Sequence, residues 1–222
     1  MSISDSSFTS VLAQGSDRTK DGIESKLAMN YYARFALAEL LRPKIEAARR
    51  AGEPARVLSV LAPGRGGPID TEDFGLRREA ARSGHSLLQR PSWLRQAEMA
   101  GVTYNDWAVE HLASLSPGVA WGHSYPGIVK SDVMSAMPAP VRLLAAPLFL
   151  VTGISAEESG ERHAHFLLED DSAVKEGGAF FRGARGQDIE RTQIKGLEGE
   201  ERKAKIQALR EHTLEVTGLA SS

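Results

Sequence analysis

Two short apolar segments, each closed by proline and glycine, limit what this chain can fold into more than any other feature of its sequence. The first covers Arg56 to Ala62 and is followed by the turn sequence PGRGGP. The second covers Gly118 to Ser124 and is followed, one residue later, by Pro126 and Gly127. Apolar runs of this length that contain β-branched residues and end in turn-forming residues are typical of buried strands. The sequence therefore predicts two interior β-strands.

Helical patterns alternate with these two strands. Before the first strand, apolar residues recur every four positions, at Ile23, Leu27, Tyr31 and Phe35. This helix should begin near Gly22, and Pro43 should bend or end it because proline lacks an amide hydrogen. Between the strands, Trp93 to Ala113 also follows a helical period. Helices that alternate with strands favour an α/β sandwich with a parallel sheet.

The last third of the chain predicts further elements. Ser155 followed by Glu158 forms a capping box for a helix that extends to about Leu168. Gly177 to Phe181 predicts a short late strand, and Glu198 to Leu214 predicts a charged amphipathic helix. We expect residues 1–20 to be irregular or disordered and residues 21–222 to form a single domain.

Composition and charge exclude several classes of protein. The 222 residues include 27 lysines and arginines against 29 aspartates and glutamates, so no basic excess is present to neutralise a nucleic-acid backbone. Without cysteine the chain has no disulfide, no thiolate nucleophile and no cysteine-ligated metal. His163 and His165 lie two positions apart and would point in different directions on a helix, so we expect no metal site there.

The chain shows no sign of a membrane or secretory segment. Its first residues are polar and lack the apolar core of a secretory signal, which favours a cytoplasmic location. The longest apolar run, Val141 to Thr152, contains Arg142 and Pro147 and is shorter than the roughly 20 residues of a membrane-spanning helix. We therefore predict no transmembrane segment and interpret this run as part of the core or of a lid.

One catalytic interpretation concerns Ser124, which directly follows the second strand. The nucleophile elbow of α/β-hydrolases also places a serine after a strand, but it needs glycine two residues later. Here that residue is Pro126. A strand end followed by a proline-glycine turn explains the segment better, and a hydrolase that uses Ser124 stays an alternative. His123 is expected to be a half-buried, hydrogen-bonded strand residue.

The order and spacing of motifs along the chain resembles that of the short-chain dehydrogenase/reductase family. Asn30 is followed by Phe35 and by a leucine-rich stretch that ends in Pro43. A strand, a glycine-bearing loop, a helix and a second strand then lead to Pro126 and Gly127. The resemblance extends from Gly22 to about Leu168.

This resemblance implies a fold, a site and a reaction. The fold would be α/β, with a Rossmann-like parallel sheet and flanking helices. Asn30 would be the catalytic asparagine, and Pro126 and Gly127 would line the nicotinamide end of bound NADP or NAD. The small-molecule substrate would be a carbonyl or hydroxyl compound, and a divergent relative of this kind would serve secondary metabolism.

The chain departs from the family's pattern at the positions that transfer the proton. In the family a tyrosine does this, with its pKa lowered by a lysine four residues later. Here the tyrosine position falls on Glu98, the lysine position on Val102 and the serine position on Ala62. Tyr104, the nearest phenol, has no lysine partner on its helix face and is expected to be a buried core residue.

The family's first strand and phosphate-binding glycine turn are not found before Asn30. Gly64, Gly66 and Gly67 give a weak phosphate signal, so we expect a plain loop there. The fold would then lack the N-terminal cofactor-binding half, as in a truncated or divergent family member. The leading hypothesis is an NAD(P)-dependent oxidoreductase, and the alternative is a catalytically inactive module that binds a partner or ligand. A homo- or hetero-oligomer would cover the exposed sheet edge.

Overall fold

The computed structural model describes residues 18–20, 22–78, 90–130, 139–168 and 172–221. Its sheet has three parallel strands in the order β1-β2-β3, namely β1 (Arg56–Val60), β2 (Ala120–Ser124) and β3 (Gly178–Arg182). The helices are α1 (Ser25–Leu27), a π-helical turn (Ala28–Tyr32), α2 (Ala33–Arg50), α3 (Arg90–Leu115), α4 (Ala139–Thr152), α5 (Ala156–Leu168), α6 (Ser172–Glu176) and α7 (Gly199–Thr217), with a 3-10 turn at Leu219–Ser221. This is an α/β, Rossmann-like architecture with flanking helices, as predicted. The expected irregular N-terminus lies mostly outside the described residues.

The two interior strands lie side by side, as the sequence predicts. Arg56 pairs with Ala120 and Val60 with Ser124, while β3 pairs with the other edge of β2. β2 is buried along its whole length because it is the central strand of the three and helix α3 packs against it. The predicted late strand is confirmed as β3.

Helix α3 contacts two separate parts of the core. One side carries Tyr104 and Trp107, both fully buried, which pack with residues of α2 and α7. The other side carries Val109 and Leu112, which pack against Trp121 of the sheet. Because both faces are covered, this helix is buried almost all round between its glycine at 101 and Leu112, although it carries polar residues such as Asn105 and Asp106. This packing on both sides holds the side chains of α3 near the strand ends in fixed positions.

Helix α2 does not end at Pro43, contrary to the sequence-based expectation. It continues to Arg50, and Ile45 packs against the apolar cluster beside the sheet. Arg42 also forms an ion pair with Glu46, at 2.9 Å between Nη1 and Oε1, on the far side of the proline. An interior proline removes a helical hydrogen bond, and these contacts offset that loss. The predicted end of the helix at this residue is wrong, and a bend at Pro43, the other predicted outcome, stays a prediction.

Helices α5 and α7 lie where the sequence predicts helices, whereas α6 was not predicted. The hydroxyl of Ser155 accepts a hydrogen bond from the Glu158 amide at 3.0 Å, which confirms the capping box of α5. The apolar run at Val141 to Thr152 forms most of α4, and its exposed side chains exclude a fully buried core segment; they include Leu143, Leu150 and Val151. A lid therefore stays a prediction. Within the described ranges, no helix combines the length and apolar character needed to cross a bilayer.

The outer edge of β1 pairs with no other strand in the part of the chain that the structure describes. Beside it lies a groove of about 380 Å³, lined by all of β1 and by apolar residues of α2 and α3. Leu37 and Leu41 of α2 line this groove and are 59% and 41% exposed. Among the described residues, the β1 edge of the sheet is therefore apolar and uncovered.

Candidate functional site

The loops that follow the three strands leave the sheet at one edge, because the strands are parallel. In open α/β sheets, ligands bind outside the carboxyl ends of the strands. The predicted site residues Pro126 and Gly127 follow β2 and lie at this edge. Two groups of polar residues occur here, one near the end of β1 and one beyond β2 and β3.

Asn30 belongs to the first group and lies in the π-helical turn. Its backbone carbonyl accepts a hydrogen bond from the side-chain amide of Asn105 at 2.7 Å. The side chain of Asn30 is half-buried and makes no hydrogen bond to another described residue. π-Helical turns are frequent at functional sites. The catalytic role of Asn30 stays a prediction.

Asn105 connects Asn30 to the end of β1. Its side-chain oxygen accepts a hydrogen bond from the Ser59 hydroxyl at 3.0 Å. Arg34 donates to the Val60 carbonyl at 2.6 Å and to Ser59 at 3.3 Å, and burial lowers the pKa of this arginine. Sequence reasoning missed Asn105. The sequence feature that could have indicated Asn105 is an amide side chain among the apolar positions of α3.

The positions at which the resembled family carries its proton-transferring tyrosine and lysine are occupied here by residues with different chemistry. Glu98 is exposed and pairs with Lys26 at 2.6 Å, whereas Val102 is only 7% exposed. Tyr104 is fully buried, donates its hydroxyl hydrogen to the Phe74 carbonyl at 3.1 Å, and has its pKa raised by burial. The expected core role of Tyr104 is confirmed. None of these side chains can act as the tyrosine-lysine pair does.

Asp106 and His123 form a buried pair between α3 and β2. Their Oδ1 and Nδ1 atoms lie 2.6 Å apart, and both side chains are fully buried. The backbone amide of Ala62 points to His123 Nε2 at 3.3 Å, so this nitrogen is the acceptor and Nδ1 carries the hydrogen bonded to Asp106. The prediction that His123 is half-buried is wrong, since the central position of β2 and this partner bury it completely.

In the glycine-bearing turn after β1, backbone amides are hydrogen-bonded to side chains of the protein, and we call such a turn closed. The amide of Gly64 donates to Asp106 Oδ2 at 3.2 Å. Those of Gly66 and Gly67 donate to the hydroxyls of Thr192 and Thr103, at 3.0 and 3.1 Å. A phosphate-binding turn needs such amides to be free. The expectation of a plain loop is confirmed, and these residues do not fit the pyrophosphate of a dinucleotide.

The turn at Pro126 and Gly127 has a different environment. The Pro126 carbonyl accepts a hydrogen bond from Ser159 of α5 at 3.1 Å. Gly127 has a φ of 81°, and a Cβ there would lie 3.2 Å from Ala184 Cβ. Gly127 lines a cavity of about 490 Å³. Asn30 does not line this cavity, and the role of Pro126 and Gly127 at the nicotinamide end of a cofactor stays a prediction.

The other candidate residues do not assemble a catalytic site. Ser124 is buried, and its Oγ has no hydrogen-bond partner among the described residues, so no base activates it as a hydrolase requires. His163 Nδ1 lies 2.6 Å from the Ser159 carbonyl, one turn earlier on α5. No group of three potential metal ligands occurs within the described ranges.

No protein-family model matches this chain. It is 32% identical over 168 residues to Oxidoreductase AN1596 of Emericella nidulans, a match that covers 73% of this chain and 46% of that protein. It is 27% identical over 165 residues to the NmrA-like family domain-containing oxidoreductase notO of an Aspergillus species, covering 74% of this chain and 44% of the relative. Oxidoreductase andH of Emericella variicolor is 25% identical over 148 residues, with 66% and 40% covered.

The chain thus spans a little under half the length of the curated relatives that it matches. Among solved structures, it is similar to an uncharacterized protein from Mycobacterium paratuberculosis, with a TM-score of 0.46 and 19% sequence identity. That similarity covers 93% of this chain and 63% of the other.

Proposed function

We propose that this chain functions as an oxidoreductase of the short-chain dehydrogenase/reductase type, with NAD or NADP and a small carbonyl or hydroxyl substrate. The observation that carries the proposal is the similarity to proteins named as oxidoreductases, which extends over about two thirds or more of this chain. The parallel sheet and the position of Asn30 on a helix beside β1 are consistent with it. A role in secondary metabolism and a cytoplasmic location belong to the same proposal.

Only part of the cofactor site has support in the described residues. Gly127 lines a cavity that we assign to the nicotinamide end, and the side chain of Asn30 forms no hydrogen bond to another described residue. The amides after β1 are already bonded internally and supply nothing to the pyrophosphate. Cofactor binding is therefore the first property to test.

The test is a fluorescence titration of the purified chain with NADPH and, separately, NADH. We expect binding that Gly127→Ala weakens, because the added methyl group would lie 3.2 Å from Ala184 Cβ and force the turn that lines the cavity to shift. Gly52→Ala is the matched control, since Gly52 also has a positive φ, of 83°, but has nothing within 4 Å of an added Cβ. Absence of binding at about millimolar cofactor, where even weak sites fill, would refute the proposal.

A second candidate is a module that keeps the fold and binds a ligand or partner without turning it over. It is favoured by Glu98, Val102 and Ala62 at the positions of the catalytic tyrosine, lysine and serine. We expect no loss of NADPH absorbance when the chain is mixed with a panel of aldehydes and ketones. Turnover that Asn30→Ser abolishes would contradict this candidate and support the oxidoreductase. Homo- or hetero-oligomer formation also stays a prediction, which sedimentation of the purified chain can test.

A further inference from the structure

Three arginines line the cavity that contains Gly127. Arg65 comes from the turn after β1, Arg162 from α5 and Arg185 from the turn after β3. Among the described residues, no aspartate or glutamate lines the cavity together with them. We propose that this cavity binds the carboxylate or phosphate group of a small organic anion.

Arg65 is held in a defined orientation by Tyr125. Its guanidinium carbon lies 4.0 Å from the centre of the tyrosine ring. Stacking on an aromatic face fixes the plane of a guanidinium and leaves its edge N–H groups free for a planar or tetrahedral oxyanion. Arg65 forms no ion pair with a described carboxylate. An anion would therefore meet an oriented cation whose charge is not neutralised.

Arg162 also lines the cavity and is partly neutralised. It donates to the Ala184 carbonyl at 2.7 Å, which positions the guanidinium beside the turn after β3. It also pairs with Glu158, one turn earlier on α5. The side chain of Glu158 is 47% exposed, so water screens much of this ion pair. Arg162 thus contributes a fixed donor rather than a full charge.

Arg185 lies at the rim of the cavity on a tight turn. The amide of Gly183 donates to the Gln187 carbonyl at 2.8 Å, and the amide of Arg185 donates to the Gln187 side chain at 2.9 Å. The guanidinium of Arg185 is exposed and forms no ion pair with a described residue. Asp188, in the adjacent cavity, pairs with Arg182 instead. These hydrogen bonds therefore fix the backbone at Arg185, while its guanidinium charge remains available to a ligand.

The remaining wall indicates what the anion is attached to. Ile128, Val151 and Ile154 line the same cavity, and its volume of about 490 Å³ is that of a small-molecule site. An acidic group at the arginines would leave the rest of the ligand against these apolar side chains. The preferred ligand is accordingly a small acid or phosphate ester with an apolar body. This inference does not depend on nicotinamide binding, and if both hold, the substrate itself carries the acidic group.

Calorimetric titration without cofactor tests the site with benzoate, phenyl phosphate and the uncharged benzyl alcohol. We expect one or both anions to bind, benzyl alcohol to bind much more weakly, and added salt to weaken the anions. Arg65→Gln and Arg185→Gln should each reduce anion affinity about tenfold, because each removes a charge-assisted hydrogen bond. Arg50→Gln is the matched control, since Arg50 ends α2 just before β1 and so lies at the opposite edge of the sheet.

The two anions also identify which acidic group the cavity accepts. Binding of phenyl phosphate alone assigns a phosphate, and binding of benzoate alone assigns a carboxylate. Failure of both to bind, equal binding of benzyl alcohol, or affinities that neither arginine variant changes would overturn the site. None of these results depends on NADPH, so they are separate from the test of the proposed oxidoreductase. Thermal unfolding monitored by circular dichroism confirms that each variant is folded.

Discussion

The turns after β1 and β2 both contain proline and glycine, yet one is closed and the other is open. After β1, three glycine amides donate to side chains from distant parts of the chain, namely Thr103, Asp106 and Thr192. After β2, Gly127 lies beside a cavity that arginines line. The turn sequence is similar in the two places. What differs is whether buried acceptors from elsewhere reach the backbone.

Asp106 accounts for much of the closed turn. Its carboxylate accepts hydrogen bonds from the amides of Gly64 and Thr192, at 3.2 and 2.8 Å, and from His123. One side chain therefore connects α3, the turn after β1, β2 and the segment before α7. Among the described residues, the turn after β2 has no equivalent of Asp106. The arginines beside it come from the turn after β1, from α5 and from the turn after β3. The closed turn therefore stabilises the fold through its backbone amides and also supplies Arg65 to the cavity next to the open turn.

The largest expected effect comes from removing the charge that closes the first turn. Asp106→Asn should lower the free energy of unfolding by about 3 kcal/mol, because an amide nitrogen would replace one of the buried acceptor oxygens. Urea denaturation measures the change. The control Asp70→Asn concerns an exposed aspartate and should change stability by less than about 0.5 kcal/mol. If both variants lost equally little free energy of unfolding, Asp106 would not stabilise the turn after β1 as this comparison requires.

A smaller effect is expected when one hydroxyl is removed from the same turn. Thr192→Val should cost about 1 to 2 kcal/mol, because the amide of Gly66 would lose its acceptor. Thr217→Val is the matched control, since the hydroxyl of Thr217 only donates to carbonyls of its own helix. Urea denaturation of both variants should separate them clearly. A Thr192→Val protein as stable as the control would mean that water replaces the hydroxyl at no cost.

The open turn can be tested by changing Tyr125, whose ring lies beneath the guanidinium of Arg65. Tyr125→Leu should weaken benzoate binding by roughly threefold, because the guanidinium would lose its stacking partner. Tyr125→Phe keeps the ring and should bind as the unchanged protein does. Calorimetric titration measures both affinities. If the phenylalanine variant loses as much affinity as the leucine variant, the hydroxyl rather than the stacked ring supports the site.

The smallest effect is a dependence of stability on pH. Burial lowers the pKa of His212, which contacts Tyr32 at 2.9 Å, so the unfolded chain binds a proton more readily than the folded one. The stabilisation is fully present above the unfolded value of about 6.5 and is lost as the pH falls through the folded value. Thermal unfolding below about pH 6.5 should show this loss, and His212→Gln should reduce it. An unchanged pH dependence in that variant would contradict the assignment.

Local patterns predict the strands and helices well, because periodicity and turn residues act over short distances. The prediction that the helix ends at Pro43 failed because the ion pair and the packing beyond the proline outweigh one lost hydrogen bond. In the site, spacing singled out Asn30 and Gly127, whose roles stay predictions. The partners Asn105, Asp106 and Arg185 were missed, since their contacts depend on tertiary structure. Asp106 bonds to a backbone amide 86 positions away, for which the sequence contains no local signal.

The π-helical turn at Ala28–Tyr32 determines how this region responds to changes in chain length. A wider turn accommodates one residue more than an α-helix would. Deleting one residue there would therefore allow a continuous α-helix from Ser25 to Arg50 with the segments on either side still facing as they do now. Leu27 would stay in the core, whereas a deletion inside α2 would rotate everything before it by about 100°. A missing residue is thus more easily absorbed in this turn than in the α-helix that follows it.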